Sequence, residues 1–135
     1  MRKHLKILFL STFLFISCKK DEIPEPGNIT GKWLHAESYV GYANGGTFSW
    51  QNVPIEHTHY LKFSANGAYL KQGTAGSNFQ MCIGTFQLFP NKQLEVSSNC
   101  NTSKESNKIE LTTKHLIIDF QGREGVIRLK YIPVK

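Results

Sequence analysis

The chain predicts an all-β fold, an antiparallel up-and-down meander of eight strands, or nine if a short run from Phe48 to Val53 is counted. Three observations carry that reading. From Gly31 onward the sequence is a series of short runs in which apolar and polar residues alternate, broken by turn residues. No stretch of about 12 residues in that region has the apolar spacing of a helix. Three neighbouring pairs of runs also fall into register so that apolar residues oppose apolar residues.

The first element is not part of the domain. Met1–Lys6 is basic, and Ile7–Ile16 (ILFLSTFLFI) is apolar except for Ser11 and Thr12. As a helix that run spans roughly 15 Å, half a bilayer core, which fits the apolar region of a signal peptide and not a permanent span. Residues 1–17 are therefore read as a signal peptide. Asp21–Asn28 (DEIPEPGN) holds Pro24 and Pro26, three acids and a glycine. Proline fixes φ and lacks a donor, so residues 18–28 read as an extended tether with a reach of roughly 25–35 Å. The folded domain is then 29–135.

Within it the candidate strands are Lys32–Val40, Phe48–Val53, His59–Phe63, Ala68–Gln72, Met81–Phe89, Leu94–Ser98, Lys108–Thr112, His115–Phe120 and Val126–Val134. Asn66-Gly67, Pro90-Asn91 and Gly122 to Gly125 supply turns. One hairpin sets Leu88 against Leu94, Phe86 against Val96, Gly84 against Ser98 and Cys82 against Cys100. The next sets Leu111 against Leu116, Ile109 against Ile118 and Lys108 against Asp119. The last sets Phe120 against Ile127, Ile118 against Leu129 and Leu116 against Tyr131, with Asp119 opposite Arg128 on the other face. Such a meander either closes into a barrel or folds over as two packed sheets, and composition does not separate these outcomes.

Composition does exclude some classes. The 135 residues include 16 Lys+Arg and 10 Asp+Glu, a formal charge of +6. Arg2, Lys3 and Lys6 lie in the leader, which has no acid, so the charge of the remainder is +3. A mildly basic domain without a dense Lys/Arg stripe is not a nucleic-acid binder. With 40% hydrophobic residues the chain is too apolar for disorder.

Phe15-Ile16-Ser17-Cys18 resembles a bacterial lipobox, although Leu usually stands where Phe15 does. The resemblance implies that Cys18 is lipidated and becomes the new N-terminus, a lipid anchor to the membrane. Two or three acyl chains make such attachment persistent. Residue 19 is Lys and not Asp, which in Gram-negative lipoproteins implies the outer membrane. Lys19-Lys20-Asp21-Glu22 is similar to a lysine-plus-acid tag that directs some lipoproteins to the cell surface. With Cys18 lipidated, Cys82 and Cys100 remain as an even pair in an exported domain. Directly opposed in the register above, they predict a disulfide that stabilises the fold by about 3 kcal/mol.

Gly31-Lys32-Trp33 resembles the lipocalin Gly-x-Trp signature. Tyr60-Leu61-Lys62-Phe63, Asn66-Gly67-Ala68-Tyr69, Gly84-Thr85-Phe86, Leu111-Thr112 and Leu116-Ile117-Ile118 look like the lipocalin-like domains of small bacterial lipoproteins. The resemblance implies a closed barrel in which Trp33 closes one end. It also implies non-catalytic binding of a small hydrophobic or amphipathic ligand. On that reading Tyr42, Phe48 and Trp50 are rim residues, and Phe63, Phe86, Val96, Ile118 and Leu129 are walls. The alternative is a solidly packed barrel whose surface contacts a protein or glycan.

Catalytic patterns are weak. No Gly-x-Ser-x-Gly elbow, phosphate loop or dinucleotide fingerprint is present. The acids are scattered, no pair is singled out, and the chain reads as a non-enzyme without a cofactor. The metal lead is His57-Thr58-His59, since residues two apart on a strand share a face. A third ligand would have to come from His35 or His115. The plain alternative is two polar histidines on a loop entering a strand.

Overall fold

The computed structural model describes residues 28–40, 48–122 and 125–135. Alternating strand-forming residues build one sheet from β1 (Gly31–Val40), β2 (Ser49–Asn52), β3 (His59–Phe63), β4 (Ala68–Gly73), β5 (Cys82–Leu88), β6 (Gln93–Ser98), β7 (Glu105–Leu111), β8 (Leu116–Gly122) and β9 (Gly125–Val134). A 3-10 turn at Ile55–His57 is the one helical element among the described residues.

From β3 onward each strand pairs with its sequence neighbour, and β9 returns to pair with β1. The meander therefore closes as an eight-stranded barrel, and the two-sheet alternative is excluded. β1 is the strand that allows closure. One of its edges pairs with β9 from Lys32–Val134 to Val40–Ile127, across a bulge between His35 and Glu37. The other edge is shared: Gly31–Leu34 pair with β3, and Glu37–Val40 pair with β2. β2 is thus an extra strand beside the ring.

The three predicted registers are the observed ones. Leu88 opposes Leu94, Ile109 opposes Ile118, and Leu116 opposes Tyr131. The largest boundary difference is at β7, which begins at Glu105 and not Lys108. Glu105 and Asn107 oppose Val96 and Leu94, so polar residues occupy inward positions there and hide the strand's period.

Two glycines are required locally. Gly67 has φ +83° in the Asn66-Gly67 turn, a backbone conformation that L side chains rarely adopt. At Gly84 a Cβ atom would lie 1.9 Å from the Ser97 carbonyl oxygen, so β5 and β6 approach as closely as they do only because that side chain is absent.

Inward residues fill the barrel. Trp33, Phe63, Leu94 and Leu116 are buried with Leu61, Val96, Ile109, Ile118 and Tyr131, and Phe86, Leu88, Phe120 and Leu129 pack against them. Phe63 meets Phe86 edge-on at 4.9 Å between ring centroids. Burying a large apolar side chain contributes about 1.5–3 kcal/mol, so this cluster is the main source of stability.

The two ends of the barrel differ. Strand polarity places Ile29 and the turns at residues 64–67, 89–92 and 112–115 at one end. Trp33 is fully buried near that end, and its indole Nε1–H donates to the Ile29 carbonyl at 2.9 Å. The opposite end carries the 3-10 turn, residues 74–81 and the Cys82–Cys100 disulfide.

Candidate functional site

The end opposite Trp33 is built from a laced pair of loops. Thr74 N–H donates to the Thr58 carbonyl at 3.2 Å, and Asn78 N–H donates to the Glu56 carbonyl at 3.1 Å. Ser77 Oγ–H donates to the same Glu56 carbonyl at 3.3 Å and accepts from Phe79 N–H at 3.2 Å. These bonds hold Phe79 over the barrel end, where its ring centroid lies 4.3 Å from that of His59. The Cys82–Cys100 disulfide, with Cα atoms 5.5 Å apart, forms another part of the rim. Between them is a groove of about 390 Å³ lined by Glu56, His57, Lys71, Asn78, Phe79, Gln80, Cys82 and Cys100.

Lys71 lies where the groove meets the barrel interior. On β4, Tyr69 and Lys71 share the inward face, and Lys71 pairs with Leu61 on β3 and Cys82 on β5, both buried. Its Nζ sits 4.5 Å from the Phe79 ring centroid, a cation–π contact. Burial pulls its pKa below the ordinary lysine value, and the nearby Glu105 carboxylate partly opposes that shift.

Beneath Phe79 is a buried polar cluster. His59 Nδ1–H donates to the His57 carbonyl at 3.2 Å, which leaves Nε2 to accept from the Tyr131 hydroxyl at 3.1 Å. The His35 ring centroid lies 4.8 Å from that of His59 and 5.1 Å from that of Tyr131. His35 Nε2 bonds Ser38 Oγ at 3.0 Å, while its buried Nδ1 has no partner among the described residues. Burial, helped by the charge of Lys71, lowers His35 to about 4 and His59 to about 3. Both imidazoles are therefore neutral at pH 7. Burial likewise raises the Tyr131 hydroxyl well above its ordinary value.

Among the described residues the interior shows little free space. A cavity of about 70 Å³ remains among Phe63, Tyr69, Lys71, Val96, Glu105, Asn107, Ile118, Phe120, Tyr131 and two leucines. That is room for a few waters, whereas pockets for small molecules run to roughly 300–1,000 Å³.

These positions revise the expected site. Phe63, Phe86, Val96, Ile118 and Leu129 face inward as expected, but they fill the barrel and do not enclose a ligand-sized chamber. Trp50 is not a rim residue. It pairs with Tyr39 on the outer face of the β1–β9 ladder, with Lys130 Nζ 4.1 Å and Arg128 Cζ 5.9 Å from its ring centroid. Phe48 is 42% exposed and lies 5.7 Å from the Tyr39 ring, in the same outer cluster. Tyr42 and Cys18 lie outside the described residues.

The histidine pair also separates. His57 is exposed on the 3-10 turn while His59 is buried, because the strand alternation begins only at His59. His115 bonds Glu110 at 3.3 Å and does not join them. No cluster of three His, Cys, Asp or Glu side chains suited to a metal ion occurs among the described residues.

Sequence reasoning missed Lys71, Phe79 and the burial of His35 and His59. The signal for the histidines was present: His35 is two residues from Trp33, and His59 is two from Leu61. A strand places such residues on one face. No family model matches the chain, and neither a curated protein nor a solved structure matches it.

Proposed function

We propose that the chain is a lipid-anchored, non-catalytic binding protein of a Gram-negative outer membrane, similar to lipocalin-like lipoproteins. Its small amphipathic ligand sits in the groove at the barrel mouth and not inside the barrel. The observation that carries this reading is the contrast in volume: about 390 Å³ at the mouth against about 70 Å³ within. Phe79 and the disulfide supply apolar surface there, and Lys71 and the groove's polar groups orient a head group. The lipobox-like Phe15-Ile16-Ser17-Cys18 and the tether after it support the anchored part of the reading.

Two measurements test it. Mass spectrometry of the mature protein from its own membrane should find acyl chains on Cys18, and Cys18→Ser should release the domain into the soluble fraction. A fluorescent amphiphile should bind the purified domain saturably, and Phe79→Ala should weaken that binding by about tenfold, as loss of one aromatic contact does. A well-folded domain that binds no amphiphile overturns the groove reading.

The second reading is a surface interaction module for protein or glycan. The outer cluster favours it: Tyr39 lies 5.3 Å from Trp50 between ring centroids, beside the partly exposed Phe48, Arg128 and Lys130. Trp50→Ala would then reduce capture of the partner and leave amphiphile binding intact.

A further inference from the structure

We propose that the ligand of the mouth groove ends in a carboxylate, and that Lys71 is the group that holds it. The inference rests on the groove reading above and specifies its ligand class.

The first argument is placement. β4 runs Tyr69-Leu70-Lys71, and the register turns Lys71 inward while Leu70 pairs with Ile83, which is 54% exposed. Tyr69 is a core residue on the same face, so the strand's alternation carries Lys71 inward at the groove end. An ammonium set beside Leu61 and Cys82, both buried, is costly unless an anion or polar group meets it.

The second argument is the incomplete counter-charge. Ion pairs among the described residues involve Lys104, His115, Arg128 and Lys130, and none involves Lys71. Glu105 acts on Lys71 through its charge without forming an ion pair with it, and its carboxylate accepts a hydrogen bond from the Asn101 amide. Beside that partial counter-charge, Lys71 contacts the face of Phe79. A half-buried ammonium in that state gains from an incoming anion more than an exposed one does, because the surrounding dielectric is lower than that of water.

The third argument is shape. Lys71 lines both the groove and the small internal cavity, so it sits where the two meet. Phe79, Cys82 and Cys100 line the groove with it. Apolar lining beside one half-buried cation suits an apolar chain that ends in a carboxylate. Among the described residues the one acid that lines the groove, Glu56, is exposed, so solvent and salt screen it and a cationic head group finds no equivalent partner.

The test compares decanoate, decanol and decylammonium below their aggregation concentrations at pH 7.5, by calorimetry or by displacement of a bound fluorescent amphiphile. Decanoate should bind at least about tenfold tighter than the other two, the effect of one charge-assisted hydrogen bond. Lys71→Met should abolish the preference by weakening decanoate alone, and Lys71→Arg should keep it. Met fills the same space without the charge, and a matched unfolding midpoint confirms that the variant is folded. Equal binding of decanoate and decanol, or an unchanged preference in folded Lys71→Met, overturns the assignment of Lys71 while the groove reading stands. Absence of saturable binding by all three overturns the groove itself and the inference with it.

Discussion

The Tyr131 hydroxyl donates to His59 Nε2 at 3.1 Å between residues 72 positions apart in the chain. This bond links β9 to β3 through the barrel interior, on either side of β1. Tyr131→Phe removes the donor and leaves a buried imidazole nitrogen without a partner. The expected loss is about 1–3 kcal/mol, read as a lower urea midpoint with an unchanged slope. His59→Phe in the same background should cost less than it does alone, since the two changes delete one interaction together.

The same histidines make stability depend on acid. His35 and His59 have folded-state pKa values of about 4 and about 3, below the unfolded value of 6.5. Above pH 6.5 both states are neutral and no stability is lost. As pH falls below 6.5 the unfolded chain takes up protons that the folded chain excludes. Stability should therefore drop between about pH 6.5 and 4, by up to about 3 kcal/mol per pH unit for the pair. Denaturant titrations at a series of pH values measure the slope, and His35→Gln should reduce it by about half.

Reduction of the Cys82–Cys100 disulfide removes a cross-link beside the groove. The Cys82→Ala/Cys100→Ala variant should lose about 3 kcal/mol of stability, and reductant should have the same effect on the native protein and none on the variant. Because Lys71 pairs directly with Cys82, amphiphile binding should weaken in parallel.

Gly84→Ala is expected to be among the most damaging single-methyl changes in the domain. The added carbon would meet the Ser97 carbonyl and the Ser98 backbone, which cannot rotate away as a side chain could. The strands must separate, at a cost of about 3 kcal/mol or more, visible as a depressed thermal midpoint.

The sequence made much of the architecture legible where turn residues and apolar pairs constrained each other. Asn66-Gly67 and Pro90-Asn91 punctuate the chain, and pairs such as Phe86–Val96 and Ile109–Ile118 admit one register. Closure was not readable from local pattern, because β1 and β9 meet through residues as distant as Lys32 and Val134. The start of β7 was hidden by Glu105 and Asn107, which turn polar groups inward. The site was least legible. Lys71 sits in an ordinary alternating strand, and only the neighbours Leu61 and Cys82 reveal that its side is the inside. Trp50 was misplaced for a related reason: a strand between two others in sequence lies beside the ring and shows its ring to the outer face.

The closed ring has a bearing on how copies of this chain behave in company. A sheet that meets itself leaves no terminal ladder of amide and carbonyl groups for another molecule to extend. Among the described residues only β2 stands at the end of the strand order, and it is four residues long. Strand-by-strand recruitment therefore has almost no template, and domains crowded together should stay separate molecules rather than polymerise.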